Sequence, residues 1–234
     1  MKVVALIPSA GVGKRMGART SKQFLDIDNR PILAQTLSRF EESQKVTEVY
    51  IVVSKKEETR CRRDIVERYN LKKVVKIVIG GMERQDSVKN GLDAVGSECD
   101  IVMIHDGVRP FVTSQLIDEA ISNTCLYDAT VVAVPVKDTV KTISPHGEIL
   151  ETLEREKIWL AQTPQTFKYD IIKRAYKNAY DNNIYGTDDS YLVELLGIKV
   201  RIIRGTYENM KITTPEDLVV ARAFFSNQKK QSTQ

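Results

Sequence analysis

The chain opens with KVVALIPSAGVGKRMG, residues 2–17, and this stretch decides its fold. The apolar run 3–8 predicts a buried β-strand, and the small residues after it predict a glycine-rich loop. Cations follow in and after that loop: Lys14, Arg15, Arg19 and Lys22. Glycines let backbone N–H groups approach an anion closely, and nearby cations neutralise its charge. We therefore predict a nucleotide phosphate site at the carboxyl end of the first strand; the alternative is a purely structural turn.

The glycine spacing excludes two familiar nucleotide motifs. A Walker A loop needs Gly-Lys-Ser/Thr at a fixed distance, and Gly11 is not followed by it. A dinucleotide fingerprint needs G-x-G-x-x-G, whereas Gly11, Gly13 and Gly17 form G-x-G-x-x-x-G. The spacing thus argues against a dehydrogenase-like module.

Length and charge narrow the class of protein further. The 234 residues can form one large domain, which we place at 1–225, with a frayed polar tail at 226–234. A net charge of +4 is too small to indicate binding to nucleic acid or to a membrane surface. No segment has membrane-spanning length, and the start does not resemble a signal peptide. Three scattered cysteines fit a reducing compartment, so we expect a cytoplasmic protein.

Strand and helix patterns alternate along most of the chain. The predicted strands are 3–8, 48–54, 74–79, 100–105, 129–135 and 199–203. The predicted helices are 31–42, 57–69, 84–95, 114–127, 169–181 and 215–225. This alternation is typical of an α/β fold with a mostly parallel sheet covered on both faces, in which ligands bind beyond the carboxyl ends of strands.

Residues 136–153 interrupt the alternation. Ser144-Pro145-His146-Gly147 suits a type I turn, and the apolar-polar segments on either side predict a projecting β-hairpin. A lone two-stranded hairpin is marginal in water, so this arm must pack on something. Packing against a second subunit and folding back onto its own domain are both open.

Polar clusters mark the ends of other predicted strands. Gly80-Gly81 precedes a helix start, which fits either close approach to a ligand or a simple turn. Asp106 beside Arg109 fits metal or phosphate handling, whereas His105 fits a packed core histidine. After the predicted hairpin, Asp188-Asp189 fits a metal site or, more commonly, a helix cap in which Thr187 or Asp188 starts a helix over 190–196.

Taken together, these blocks resemble the 2-C-methyl-D-erythritol 4-phosphate cytidylyltransferase family from residue 2 to about 225. The resemblance is carried by the order and spacing of the following blocks: Pro8-Ser9-Ala10-Gly11-x-Gly13-x-Arg15-Met16, Lys22-Gln23-Phe24, Gly80-Gly81 with Arg84 and Ser87, His105-Asp106-x-x-Arg109-Pro110, Asp138-Thr139, Arg155 with Trp159, Gln162-Thr163-Pro164-Gln165, Thr187-Asp188-Asp189, and Lys211-x-Thr213-x-Pro215-Glu216-Asp217.

The resemblance implies a Rossmann-like sheet flanked by helices, and a hairpin arm, about 136–157, that builds a homodimer. It implies CTP binding by Ser9, Ala10, Gly11, Gly13, Gly81, Met82, Arg84, Ser87 and Asp106. It implies sugar phosphate binding by Asp106, Arg109, Thr139, Arg155, Thr187 and Lys211. The catalytic residues that it implies are Arg15, Lys22, Arg155 and Lys211. Where some relatives carry Asp after the glycine pair, this chain has Met82, so a carboxylate contact to ribose is lost there.

The implied reaction joins CTP and 2-C-methyl-D-erythritol 4-phosphate and releases pyrophosphate. Mg²⁺ or another divalent cation would be held mainly by the CTP phosphates, with Asp106 as a possible protein ligand. The alternatives are a ribitol 5-phosphate cytidylyltransferase, another sugar nucleotidyltransferase and a non-catalytic nucleotide-binding module. With only two histidines in the chain, we expect neither histidine-based catalysis nor a zinc site.

Overall fold

The computed structural model of the chain describes residues 1–11 and 21–232. Its strands are β1 (Val3–Pro8), β2 (Asp26–Ile27), β3 (Arg30–Pro31), β4 (Glu48–Val53), β5 (Val74–Ile79), β6 (Ile101–Ile104), β7 (Ala129–Pro135), β8 (Lys141–Ile143), β9 (Ile149–Thr152), β10 (Trp159–Lys168) and β11 (Arg201–Arg204). Its helices are α1 (Ile32–Glu42), α2 (Glu58–Cys61), α3 (Arg84–Ala94), α4 (Ser114–Tyr127), α5 (Tyr169–Asp181), α6 (Asp189–Glu194) and α7 (Pro215–Ser232).

Seven of the described strands form one sheet in the order β11-β7-β10-β6-β1-β4-β5. Strand β1 pairs in parallel with β4 on one side and with β6 on the other. The chain first builds outward through β4 and β5, and then crosses back to place β6 beside β1. This reversal makes the carboxyl end of β1 a topological switch point, where such sheets bind ligands.

Apolar side chains cover both faces of β1, which explains its continuous hydrophobic run. Val3, Ala5 and Ile7 face one core layer, which includes side chains from α1 and α4. Val4 and Leu6 face the other layer, which includes side chains from α3, α5 and α6. A parallel strand buried on both faces needs no apolar-polar alternation. The predicted α/β class and mostly parallel sheet are therefore confirmed.

Strand β10 is the main element that the sequence patterns did not predict. It runs antiparallel to both neighbours, β6 and β7, and occupies an interior position in the sheet. The register shifts between Ala161 and Gln165, which accommodates Pro164 at an irregular point of the ladder. The polar segment Gln162–Gln165 lies within this strand. These side chains are nevertheless buried, because tertiary hydrogen bonds satisfy them.

Two helical segments also differ from their predicted bounds. The predicted helix 57–69 is the short α2 followed by a π-helical turn over Arg62–Glu67. Helix α7 continues to Ser232, across most of the tail that we expected to be frayed. The sequence after Phe225 contains lysine and glutamine, which are good helix formers.

The predicted hairpin is present as β8 and β9, which form a separate two-stranded sheet. Gly147 N–H donates to the Ser144 carbonyl across the predicted turn, with an N–O distance of 3.0 Å. Every residue of the two strands is solvent-exposed in the single chain. Among the described helices, none has both the length and the apolar character needed to cross a membrane.

Candidate active site

A cavity of about 620 Å³ lies at the carboxyl ends of β1, β4, β5 and β6. Its walls come from the loops that follow these strands and from one later segment of the chain. The described residues that line it are Pro8, Ser9, Ala10, Gly11, Lys22, Gln23, Ser54, Gly81, Met82, Glu83, Arg84, Ser87, Asp106, Val108, Lys211 and Thr213. The cavity therefore sits where the sheet topology predicts a ligand site.

The cavity brings together most of the residues predicted for CTP and two predicted catalytic lysines. The lining residues from those sets are Ser9, Ala10, Gly11, Gly81, Met82, Arg84, Ser87, Asp106, Lys22 and Lys211. Arg109 lies just behind this wall and is mostly buried. The other two predicted residues of the first loop, Gly13 and Arg15, fall outside the described residues.

Three residues predicted for the sugar phosphate do not reach the cavity within one chain. Thr139, Arg155 and Thr187 are all exposed and are absent from the cavity wall. Arg155 instead donates from Nη1 to the Lys137 carbonyl at 3.5 Å and pairs with Glu156. The single chain thus leaves the predicted acceptor side of the site without these groups.

Close backbone packing explains the glycine pair after β5. A Cβ at Gly80 would lie 2.6 Å from Cβ of Ala10, and a Cβ at Gly81 would lie 2.3 Å from Cβ of Asp86. The Gly81 N–H donates to Oγ of the buried Ser87 at 3.1 Å. The absence of a side chain at Gly80 therefore lets the β5–α3 loop pack against the first loop, and its absence at Gly81 lets that loop pack on the first turn of α3.

Gln23 anchors the start of the first loop through a hydrogen bond to its backbone. Its buried carboxamide donates from Nε2 to the Ser9 carbonyl at 2.6 Å and to Oε2 of Glu57 at 3.2 Å. Oγ of Ser9 is also buried, and it has no hydrogen-bond partner among the described residues. The hydroxyl lies against Gly107, where an added Cβ would come within 2.1 Å of Oγ.

Asp106 is the centre of charge in the cavity. Its Oδ2 lies 3.0 Å from Nζ of Lys211 and 3.3 Å from Nε of Arg109, and its Oδ1 lies 3.4 Å from Nε of Arg84. Burial alone would raise the pKa of Asp106. The three neighbouring cations outweigh burial and hold this pKa well below its ordinary value, so the carboxylate stays ionised.

Arg84 bridges Asp106 to a second, fully buried carboxylate on α6. Its Nη1 and Nη2 donate to Oδ1 and Oδ2 of Asp189 at 3.1 and 2.7 Å. Tyr176 donates its hydroxyl to the same Oδ1 at 2.5 Å. Burial tends to lower the pKa of Arg84, but the two carboxylates outweigh it and raise that pKa above its ordinary value.

The metal-site alternative for Asp188-Asp189 is not supported. Asp188 caps α6 by accepting from the Tyr191 N–H at 2.9 Å, as the N-cap alternative predicted. Asp189 faces Arg84 instead. No cluster of three or more candidate metal-ligating side chains occurs within residues 1–11 and 21–232. The patterns did not predict the ion pair to Arg84, because the two residues are 105 positions apart in sequence.

His105 is a core histidine, as its place at the strand end predicted. Its Nε2 contacts the Arg109 carbonyl and its Nδ1 contacts Oγ1 of Thr163, each at 3.1 Å. The ring also packs on Phe40. Burial lowers the pKa of His105 to about 4, so the imidazole is neutral at pH 7 and both nitrogens are occupied.

Gln165 is a further site-supporting residue whose role was not foreseen. Its Oε1 accepts from the N–H groups of Asp189 and Ser190, and its Nε2 donates to Asp188. The glutamine therefore fixes the start of α6 against β10. The signal that could have revealed it is a glutamine within an otherwise strand-like segment, since buried amides normally satisfy backbone groups.

Comparison with known proteins decides the family. The model of the 2-C-methyl-D-erythritol 4-phosphate cytidylyltransferase family matches residues 3–227. The chain belongs to this family. A family member from Geobacter metallireducens is 51% identical over 227 residues, which are 96% of this chain and 97% of the relative. Another from Alkaliphilus metalliredigens is 46% identical over 228 residues, 97% and 95% of the two chains.

Solved structures of family members agree with the fold. The 4-diphosphocytidyl-2C-methyl-D-erythritol synthase of Anaerococcus prevotii has a TM-score of 0.85 at 31% identity, covering 96% of this chain and 98% of its own. The Thermus thermophilus cytidylyltransferase has a TM-score of 0.79 at 29% identity, covering 97% and 100%. The predicted family, enzyme class and reaction are confirmed, and the ribitol phosphate and non-catalytic alternatives are disfavoured.

Proposed function

We propose that the cavity described above binds CTP and that its cations promote attack of 2-C-methyl-D-erythritol 4-phosphate on the α-phosphorus. The observation that carries this proposal is the arrangement around Asp106. Three cationic side chains converge there at the switch point of the sheet, beside a glycine-lined loop. Such an arrangement suits a reaction in which two anions must be brought together.

The nucleotide half of the site is formed by the loops after β1 and β5. Ser9, Gly11, Gly81 and Ser87 line the same cavity, and the close approach of the two loops leaves backbone groups near the ligand. The exposed Met82 contributes no carboxylate to a ribose hydroxyl. Backbone and hydroxyl contacts therefore carry nucleotide recognition in this proposal.

The acceptor needs no general base. A phosphate monoester is largely ionised near pH 7, so its oxygen is already a nucleophile. This agrees with His105, whose neutral ring is committed to two core hydrogen bonds. The acceptor oxygen forms a bond to the α-phosphorus of CTP while the bond from that phosphorus to the β-phosphate bridging oxygen breaks. Pyrophosphate leaves with the electron pair.

Lys22 and Arg15 are proposed to stabilise the charge that develops on the reacting phosphate. Lys22 lines the cavity beside the first loop. Lys211 and Arg109 are proposed to bind the acceptor phosphate, because both contact Oδ2 of Asp106 whereas Arg84 contacts Oδ1. Removing one preorganised donor of this kind commonly costs on the order of 100-fold in rate.

A divalent cation fits this donor set only as part of the CTP complex. Asp106 and Glu83 are the carboxylates among the described lining residues, and Asp106 has the hard oxygen atoms that Mg²⁺ prefers. Mg²⁺ usually keeps several waters and binds through one or two carboxylates plus substrate phosphates. The CTP phosphates would hold the ion in the main, with Asp106 as the candidate protein ligand, and the ion would supply neutralisation of phosphate charge.

The hairpin arm is proposed to build a homodimer and to complete the acceptor side of the site. Ile143, Ile149 and Leu150 are each more than 60% exposed on the arm, which is an unfavourable surface for a free monomer. Arg155 and Thr139 flank this hairpin and remain away from their own cavity. Contact with a partner would bury the apolar side chains and carry Arg155 toward the partner's site.

Pyrophosphate release in the presence of CTP, Mg²⁺ and 2-C-methyl-D-erythritol 4-phosphate tests the proposed function. We expect turnover that requires all three components. Parallel reactions with ribitol 5-phosphate, or with UTP in place of CTP, should release much less pyrophosphate. Tight CTP binding without turnover would instead favour a non-catalytic nucleotide-binding protein. A cytoplasmic location stays a prediction.

A further inference from the structure

Asp189 is a buried carboxylate behind the cavity wall, and none of the proposed steps uses it. It has no exposed surface and is not a lining residue. It lies in the first turn of α6, whereas Arg84, which it faces, begins α3 and lines the cavity. An unpaired carboxylate at this depth would be strongly unfavourable, so its pairing with Arg84 ties the two helices together.

The geometry of this pair constrains the guanidinium in orientation as well as in position. Two parallel hydrogen bonds, Nη1–Oδ1 and Nη2–Oδ2, fix the plane of the Arg84 group. The Asp189 backbone N–H donates to Oε1 of Gln165, which fixes the start of α6 that carries this carboxylate. Tyr176 adds one hydrogen bond to Oδ1, outside the fork. The supporting groups are all buried. Arg84 is therefore a preorganised group on the cavity wall.

The contacts also define what Arg84 can offer a ligand. An arginine has five N–H donors. Within the described part of the chain, two of them bind Asp189 and one binds Asp106, which leaves one N–H on each Nη nitrogen. Because Asp189 compensates its charge, Arg84 acts as a source of oriented hydrogen bonds more than as an added positive charge.

We infer that Asp189 is a positioning residue for nucleotide binding, acting through Arg84. It holds the guanidinium so that the two remaining donors meet the triphosphate of CTP and the Nε–H stays on Asp106. Loss of Asp189 frees Arg84 to pair more fully with Asp106, which withdraws those donors from the nucleotide. This inference rests on the proposed function, in which CTP occupies the cavity.

A purely structural role for Asp189 must be separated from positioning, and Tyr176 offers the matched control. Its hydroxyl binds the same carboxylate oxygen from the same buried layer. Tyr176→Phe removes this hydrogen bond but keeps the charge of Asp189 and its fork to Arg84. Both Tyr176→Phe and Asp189→Asn should therefore lower the melting temperature, whereas only Asp189→Asn should weaken nucleotide binding.

Calorimetric titration of the full-length protein with CTP and Mg²⁺, without acceptor, tests the inference. We expect Asp189→Asn and Arg84→Gln each to raise the Kd for CTP on the order of tenfold. The double variant should bind CTP no more weakly than the weaker-binding single variant, because both changes disrupt the same Arg84–Asp189 pair. Tyr176→Phe should stay within about twofold of the wild type.

Three results would overturn the inference. These are a folded Asp189→Asn protein that binds CTP like the wild type, a double variant whose losses multiply, and a Tyr176→Phe protein that loses as much affinity as Asp189→Asn. If Asp189→Asn does not fold, the CTP affinity of Arg84→Lys tests the inference instead, because lysine keeps the positive charge but cannot form the two parallel hydrogen bonds. Wild-type CTP affinity in the Arg84→Lys protein also overturns the inference. Wild-type protein that neither binds CTP nor releases pyrophosphate contradicts the proposed function itself.

Discussion

The ammonium of Lys211 lies 3.0 Å from Oδ2 of Asp106, although the two residues are far apart in sequence. The carboxylate is nearly buried and also contacts Arg84 and Arg109. Asp106 therefore joins the side of the cavity that carries Arg84 to the side that carries Lys211. In the proposed mechanism these are the nucleotide side and the acceptor side, so the two substrates meet across one carboxylate.

Lys211→Ala should weaken use of the sugar phosphate more than use of CTP, because Lys211 is placed on the acceptor side of Asp106. Steady-state kinetics with each substrate varied in turn should show a KM for the sugar phosphate raised by roughly tenfold or more, the scale of one lost charge-assisted contact. The KM for CTP should change much less. Lys177→Ala, on the surface of α5, is the control. Equal losses for both substrates would contradict the assignment.

Lys22→Ala and Arg15→Ala should each lower kcat at least about 100-fold, because each removes a cation proposed to act on the reacting phosphate. Lys72→Ala, an exposed lysine away from the cavity, should leave turnover unchanged. Circular dichroism and thermal melting check that the fold is intact. Near-normal turnover in either variant would remove that residue from the proposed mechanism.

Leu150→Asp should weaken the proposed dimer, since a carboxylate would replace an exposed apolar side chain on the arm. Sedimentation velocity across a concentration series should show a shift toward monomer and a parallel loss of activity. Leu126→Asp is the matched control, because Leu126 is similarly exposed but lies on α4. Dimers that persist in the Leu150→Asp protein would argue against an interface built by the arm.

Arg155→Ala and Lys22→Ala should complement each other if Arg155 acts on the partner's site. Each variant alone should be nearly inactive. After subunit exchange, a mixed dimer contains one site with both residues intact, so activity should recover partly. Exchange must be shown independently, for example with differently tagged chains. Exchange without recovery would favour an arm that serves its own subunit.

The free energy of unfolding should decrease as the pH drops from about 6.5 to about 4, because His105 is buried in its neutral form. Burial lowers its pKa in the folded protein to about 4, so in this range the unfolded chain binds the proton and the folded chain does not. The full effect is about 3 kcal/mol. Urea unfolding at several pH values should show this slope, and His105→Gln should flatten it. His146→Gln, in the exposed hairpin turn, should leave the slope unchanged.

Local sequence patterns were sufficient to predict most of the helices and strands. The bounds of β1, β5, β7, α4 and α5 match the predicted ranges, because apolar runs and helical periods report directly on burial. Strand β10 escaped prediction because its polar residues are satisfied by distant partners such as His105 and Asp188. No local pattern reports a hydrogen bond to a residue that is remote in sequence.

Some features of the candidate site could also be predicted from the sequence, whereas others appear only in the structure. The glycine loops and Asp106 follow strand ends, where parallel sheets place ligands, and the family resemblance implied Lys211. The order and spacing of the motif blocks carried the resemblance that implied the family and the reaction, whereas glycine spacing and charge only excluded other classes. Only the tertiary structure decided which charges meet: that Asp106 collects three cations and that Arg84 pairs with the buried Asp189. Ion pairs act over a few ångströms of space, and folding alone brings residues 84, 106, 189 and 211 within that distance.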